Sequence, residues 1–160
     1  MRELPENKLH ANVVKTWKLT GMLSSAILAL FGIVPVLIIV IVVKISPLWL
    51  LIPVAVVVLL WLITVTWVPR FRYARYRYQV HDAYIDILEG IIFVKRTVIP
   101  LVRVQYTDSS QGPFLRAYKL AQVDINTAGG SITIPGLSLE DADLLRDKIA
   151  ELAAIAKEEL

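Results

Sequence analysis

"WVPRFRYARYRYQV", residues 67–80, stands where one kind of chain gives way to another. A charge-free run reaching back to Leu48 precedes it. Within it come Arg70, Arg72, Arg75 and Arg77, interleaved with Phe71, Tyr73, Tyr76 and Tyr78, and no acid. Basic residues alternating with aromatics can line a single-stranded nucleic-acid channel. They can equally end a membrane span and open a soluble domain. The flanking sequence decides between these readings.

Upstream, two runs carry no charge: Leu19 to Val43 and Leu48 to Val68. A bilayer core of about 30 Å is crossed by about 20 apolar residues in a helix, and both runs meet that length. Only Lys44-Ile45-Ser46-Pro47 separates them. Backbone polar groups in lipid must be bonded within the chain, so the economical arrangement is a tight helical hairpin. The first run is too long for a signal peptide and leads into a second span. Two such runs in 160 residues also argue against a buried core hairpin. The chain is 56% hydrophobic and 19% charged, and the apolar excess sits in these runs. The remainder reads as one small domain. There is no cysteine, which excludes a disulfide framework, a thiol nucleophile and a thiolate metal site.

Lys8, Lys15 and Lys18 precede the first span and four arginines follow the second, against Lys44 alone in the turn. The positive-inside rule then places both ends in the cytoplasm. Trp17, Trp49 and Trp67 fall at span ends, where amphipathic rings favour the interface. Lys15, Trp17, Lys18, Trp67, Arg70 and Arg72 are the expected membrane anchors. Trp61 lies deeper and is not explained in this way. Ser25, Ala29 and Gly32 share one helical face and would let a second helix approach closely.

From Arg72 the period becomes alternating. Tyr76, Tyr78 and Val80 are expected on one face, Arg75, Arg77 and Gln79 on the other. "AYIDILEG" follows, with Glu89-Gly90 as a two-residue hairpin turn and "IIFVKRTVI" as the returning strand. "LVRVQYTD" alternates with Val102, Val104 and Tyr106 together. "FLRAYKL" holds one helical turn, and "AQVDINT" and "SITIP" are strands around Ala128-Gly129-Gly130. The last segment is a helix capped by Ser138, with Glu140 and Asp141 in its first turn. Its apolar stripe is Ala142, Leu145, Ile149, Leu152 and Ala156. The fold class is therefore α+β: a two-helix transmembrane hairpin, then short antiparallel strands closed by one amphipathic helix.

Within this half, "KRTVIPLVRVQYTDSSQGPFLRAYKLAQVDINTAGGSITIPGL" resembles the signature of bacterial pleckstrin-homology domains of the YdbS-like type. The resemblance rests on Arg-Thr-x-x-Ile-Pro, Arg-Val-Gln, the Gln-Gly-Pro loop, Leu-Ala and Thr-Ala-Gly-Gly. The layout of two spans followed by one such domain extends it over nearly the whole chain. It implies a PH-like fold: two orthogonal antiparallel sheets, seven strands, and a capping C-terminal helix. Lys119 departs from the pattern, which has glycine there. If the position takes φ > 0, Lys119 must be strained or the turn must differ. The resulting domain plan is an N-terminal segment 1–18, a hairpin 19–68 (spans 19–43 and 48–68) and a PH-like domain 69–160.

No enzyme is expected. His10 and His81 have no metal-ligand neighbour at i+3 or i+4. Asp82, Asp86 and Glu89 read as solubilising turn and edge acids. "TAGGS" joins two strands and lacks the strand-to-helix geometry of a phosphate cradle. No cofactor or metal is expected, and nucleic acid is set aside because the basic stretch begins at the membrane edge. The first hairpin loop, "HDAYID", is acidic, which disfavours a phosphoinositide pocket. Lys95 and Arg96 form a basic pair further on and, with Arg75 and Arg77, are candidate lipid or partner contacts. The expected role is a non-enzymatic interaction module in a bacterial or archaeal cell membrane, presenting a cytoplasmic PH-like domain. Its expected partners are the lipid bilayer and other membrane proteins, including a related PH-domain membrane protein or a second copy. Alternatives are an anionic-lipid surface sensor and an accessory subunit of an envelope-stress or transport complex.

Overall fold

The computed structural model describes residues 4–43, 46, 48 and 51–158. The expected turn at Lys44 to Pro47 falls largely outside these residues, as does Trp49. The chain divides into two compact units, Trp17–Arg70 and a second that joins the residues up to Thr16 with those from Phe71 onward.

The first unit holds most of α1 (Val13–Val43), which accommodates Pro35, and α2 (Leu51–Leu62), which continues through a π-turn (Ile63–Trp67) into α3 (Val68–Arg75), whose last five residues belong to the second unit. Val13–Ile38 and Leu51–Arg75 are each long and apolar enough to cross a membrane. The π-turn has a local cause. Pro69 cannot donate to the carbonyl four residues back, and its ring would crowd that carbonyl. The helix widens instead, and the Val68 N–H bonds the Ile63 carbonyl. Thr64 Oγ1 donates to the Leu60 carbonyl at 2.8 Å, and Thr66 Oγ1 donates to that of Leu62. Ser25 and Ala29 line a cleft of about 300 Å³ with Val57, Val58 and Trp61. This gives Trp61 a packing role at a depth where interfacial anchoring gives it none. An added Cβ at Gly21 would lie 3.5 Å from the Thr64 carbonyl oxygen, whereas one at Gly32 would meet open space. The close approach therefore centres one turn nearer the N-terminus than the sequence suggested.

The second unit holds two three-stranded antiparallel sheets, ordered β1-β2-β3 and β4-β5-β6. The strands are β1 Arg77–Val80, β2 Tyr84–Glu89, β3 Lys95–Pro100, β4 Val104–Ser110, β5 Leu120–Thr127 and β6 Gly130–Ser138. The described residues thus hold six strands where the resemblance implied seven. A short α4 (Pro113–Ala117) links β4 to β5, and α5 (Leu139–Glu158) packs against β4, β5, β6 and the 3₁₀ turn Leu101–Arg103. Tyr76, Ile85, Ile87 and Ile99 are buried together with Val123, Ile125 and Ile134 and with Ala142, Ile149 and Ala153 of α5. Ser138 Oγ accepts the Asp141 N–H at 3.0 Å, the expected cap.

Three local expectations are corrected. The helix runs through Arg75, so alternation begins at Tyr76 and Arg75 is not on a strand. Arg72 and Arg75 stand three residues apart, a helical spacing that the apparent alternation hides. Glu89-Gly90 is not a two-residue turn: Glu89 pairs with Lys95, and residues 90–94 form the loop. Tyr106 does not join Val104 inside. The register shifts between them, leaving Val104 buried and Tyr106 56% exposed.

The domain plan also changes. The Asn7 N–H donates to the Tyr78 carbonyl and the Tyr78 N–H to that of Asn7, each at 3.1 Å. The His10 N–H donates to the Gly136 carbonyl at 2.9 Å. Leu9, Val13 and Thr16 are buried. Val13 can seat there because Gly136, at φ 64°, has no Cβ; one would collide with the Val13 side chain. The N-terminal segment is therefore part of the β-rich unit, lying along the β1 edge.

Lys119 does take the left-handed conformation, with φ 54°, alone among the described non-glycine residues. It follows α4 at the place where a helix commonly ends on glycine. Lys119→Gly should relieve about 1 kcal/mol and raise the midpoint of thermal unfolding by a few degrees. An unchanged or lower midpoint would show that the lysine makes compensating contacts.

Candidate docking groove

The expected anchors all lie on helices. Lys15, Trp17 and Lys18 fall in the first turns of α1, and Trp67, Arg70 and Arg72 in the last turns of the second helix. Trp67, Arg70 and Arg72 are exposed. The remaining basic candidates do not form one pocket. Arg75 Nη1 donates to the Ile91 carbonyl at 2.5 Å. Arg77 and Arg96 sit either side of Leu88 on the outer face of the first sheet. Arg96 is held there by Asp86: its Nε lies 3.0 Å from both carboxylate oxygens and its Nη2 lies 2.5 Å from Oδ2.

Asp86 is thus no solubilising acid. Strand alternation puts it outward, yet it is buried, with its charge met by Arg96. Removing one partner of such a pair leaves the other charge uncompensated. Arg96 is accordingly spent on the fold, and Lys95, the first residue of β3, is exposed.

The β3 edge borders a concavity of the β-rich unit. β1 has its free side met by Asn7, whereas β3 has no strand beside its outer edge among the described residues. A groove of about 780 Å³ runs along β3, past Val102 and Arg103, to the β5–β6 turn and Lys157. Val98 and Val102 line it and are 42% and 37% exposed. Lys95, Arg103 and Lys157 supply its charge, and no acid is among the described lining residues. Unpaired strand-edge amides, alternate apolar seats and a basic rim are what an added extended chain requires.

Among the described residues no three His, Asp or Glu side chains are grouped to hold a metal. His10 Nδ1 accepts the Asn12 N–H at 3.2 Å, and the His81 ring packs on Tyr84 at 4.5 Å between centroids. Asp124 accepts from Ser110 and Thr133 on neighbouring strands, a network that ties the second sheet together.

Comparison with known families settles what this architecture is. The bacterial PH domain family matches residues 21–153, a range that includes α2 and all but the first turns of α1. The chain belongs to the bacterial PH domain family. Over 166 aligned residues it is 39% identical to UPF0699 transmembrane protein YdbS of Bacillus subtilis (strain 168), covering 100% of both chains. It is also 25% identical to UPF0699 transmembrane protein YdbT of the same organism over 103 residues, 62% of this chain and 20% of that one. No solved structure matches significantly. The chain is therefore a YdbS-like membrane protein with a bacterial PH domain.

In this bacterial PH domain two buried tyrosines have raised pKa values. Tyr76 is buried and its hydroxyl donates to the Thr133 carbonyl at 3.1 Å, joining the two sheets. Burial pushes its pKa far above the ordinary tyrosine range, with the Glu89 charge adding and Arg72 opposing. Burial, then Asp141, raises Tyr78 as well. Above pH of about 10 the unfolded tyrosines lose protons that the native ones keep, so stability falls as pH rises. Tyr76→Phe should be less stable at pH 8 yet lose less between pH 10 and 12, as read by denaturant midpoints. Parallel curves for the two proteins would contradict this assignment.

Proposed function

We propose that this chain is a membrane-tethered docking module that presents its PH domain on the cytoplasmic side to a partner protein and catalyses no reaction itself. The observation that carries the reading is the groove on the open β3 edge, with Lys95, Arg103 and Lys157 around apolar seats at Val98 and Val102. The complementary partner segment is extended, apolar at alternate positions and acidic. A membrane protein of the same family, or a second copy, are the expected sources of such a segment. Packing of residues on both sides of the helical hairpin into one unit supports a two-span arrangement with both flanks on one side. The excess of Lys8, Lys15, Lys18, Arg70, Arg72 and Arg75 over Lys44 supports that side being cytoplasmic. Headgroup-specific lipid sensing has less support, since Arg96 is committed to Asp86.

A photocrosslinking residue in place of Val98, used in native membranes, tests this. A discrete adduct is expected. It should be lost when Lys95, Arg103 and Lys157 are all changed to Glu, and kept when Arg116 on α4 is changed instead. No adduct, or one indifferent to the charge reversal, would remove the groove from the account.

A further inference from the structure

The β2–β3 loop places three consecutive large apolar side chains in the open: Ile92 is 84% exposed, Phe93 88% and Val94 55%. Single exposed apolar residues need no explanation, but a contiguous cluster at a loop tip does. The loop is also shaped rather than slack. Gly90, at φ 125°, occupies a conformation closed to other residues, because a Cβ there would run into the Phe93 carbonyl. Arg75 Nη1 holds the Ile91 carbonyl, and the Glu89–Lys95 pair closes the base. Isoleucine and phenylalanine are thereby turned outward on a fixed frame. Arg75 and Lys95 stand exposed at its base.

Arg75 also ties this loop to the chain that leaves the span. Five residues separate it from Arg70, so the loop belongs to a unit tethered by a short stretch of sequence to the expected membrane anchors.

We infer that Ile92, Phe93 and Val94 insert into the membrane interface as a third, non-spanning contact, with Arg75 and Lys95 meeting anionic headgroups. The bilayer is the occupant that fits. Three side chains are far short of the about 800 Å² per partner that a stable protein interface buries. They do match an apolar wedge at the headgroup boundary with a basic collar behind it. The tether keeps that surface permanently within reach. This contact shares Lys95 with the β3 groove, and its apolar residues, Ile92, Phe93 and Val94, are not among those lining the groove.

The native chain has no cysteine, so one label site can be placed at will. The full chain would be reconstituted in phosphatidylcholine–phosphatidylglycerol vesicles with an environment-sensitive fluorophore on Phe93→Cys, Ile92→Cys or Asp82→Cys. Asp82 lies beyond the opposite end of β2, about 20 Å along a six-residue strand. Lipids carrying nitroxide quenchers should remove about half the emission at Phe93 and Ile92, and little at Asp82. The effect at the tip should shrink when phosphatidylglycerol is replaced by phosphatidylcholine. Equal quenching at all three sites would overturn the inference. So would an emission shift at the tip that ignores lipid quenchers but fades as the protein is diluted in lipid, which is the mark of contact with a second copy.

Discussion

Ile149→Asp should unfold the β-rich unit while leaving the apolar helices in the membrane. Ile149 is fully buried on the inner face of α5, between Ala142 and Ala153. Truncating such a residue costs about 2–5 kcal/mol through lost burial and the cavity left behind. A carboxylate there adds the cost of an unpaired buried charge. The total approaches the 5–15 kcal/mol that holds a typical domain together. In the full chain, proteolysis over a denaturant series would show cleavage after Phe71 without denaturant. Ile149→Val, costing about 1 kcal/mol, is the control for a change that leaves the fold intact. Native-like protease resistance of Ile149→Asp would mean that α5 does not close the core.

The second large effect is at the other end of the chain. Leu9→Asp combined with Val13→Asp should destabilise the β-rich unit by about 3–6 kcal/mol, the burial value of two aliphatic side chains. Both residues are buried against that unit, Val13 in the space that Gly136 leaves open. The Asn7–Tyr78 hydrogen bonds would be lost with them. The denaturation midpoint of the full chain in lipid should fall, and a fragment beginning at Phe71 should be comparably weak. Equal midpoints with and without the docked segment would reduce it to an ornament on an independently stable domain.

What was legible in the sequence was legible because one force acted alone. Lipid demands long charge-free helices, so the two spans could be read from Leu19–Val43 and Leu48–Val68. The α5 stripe faces a single core, so Ala142, Ile149 and the cap at Ser138 followed from spacing. The misread places are those where two patterns fit. Tyr73 and Tyr76, three apart, suit a helix, while Tyr76 and Tyr78 suit a strand, and only the structure shows the change at Arg75. "IIFV" has strand composition but forms a loop, because the Glu89–Lys95 register leaves it beyond the ladder. Asp86 gave no sign that a charge outside the sheet would be buried. The docked N-terminal segment did leave a trace in Leu9 and Val13, four apart on one side of a helix start. Their partner, Gly136, lies too far along the chain for a pattern to reveal it.

The bond between His10 and Gly136 and the seat of Val13 beside it have a consequence in time. At about 5–20 residues per second, the N-terminal segment emerges many seconds before the strand that receives it. During that interval both apolar helices must find the bilayer. Only a chain that has returned to the side it started from can then bring Leu9 and Val13 to β6. The β-rich unit is thus completed only when a segment made before the apolar helices meets a strand made after them.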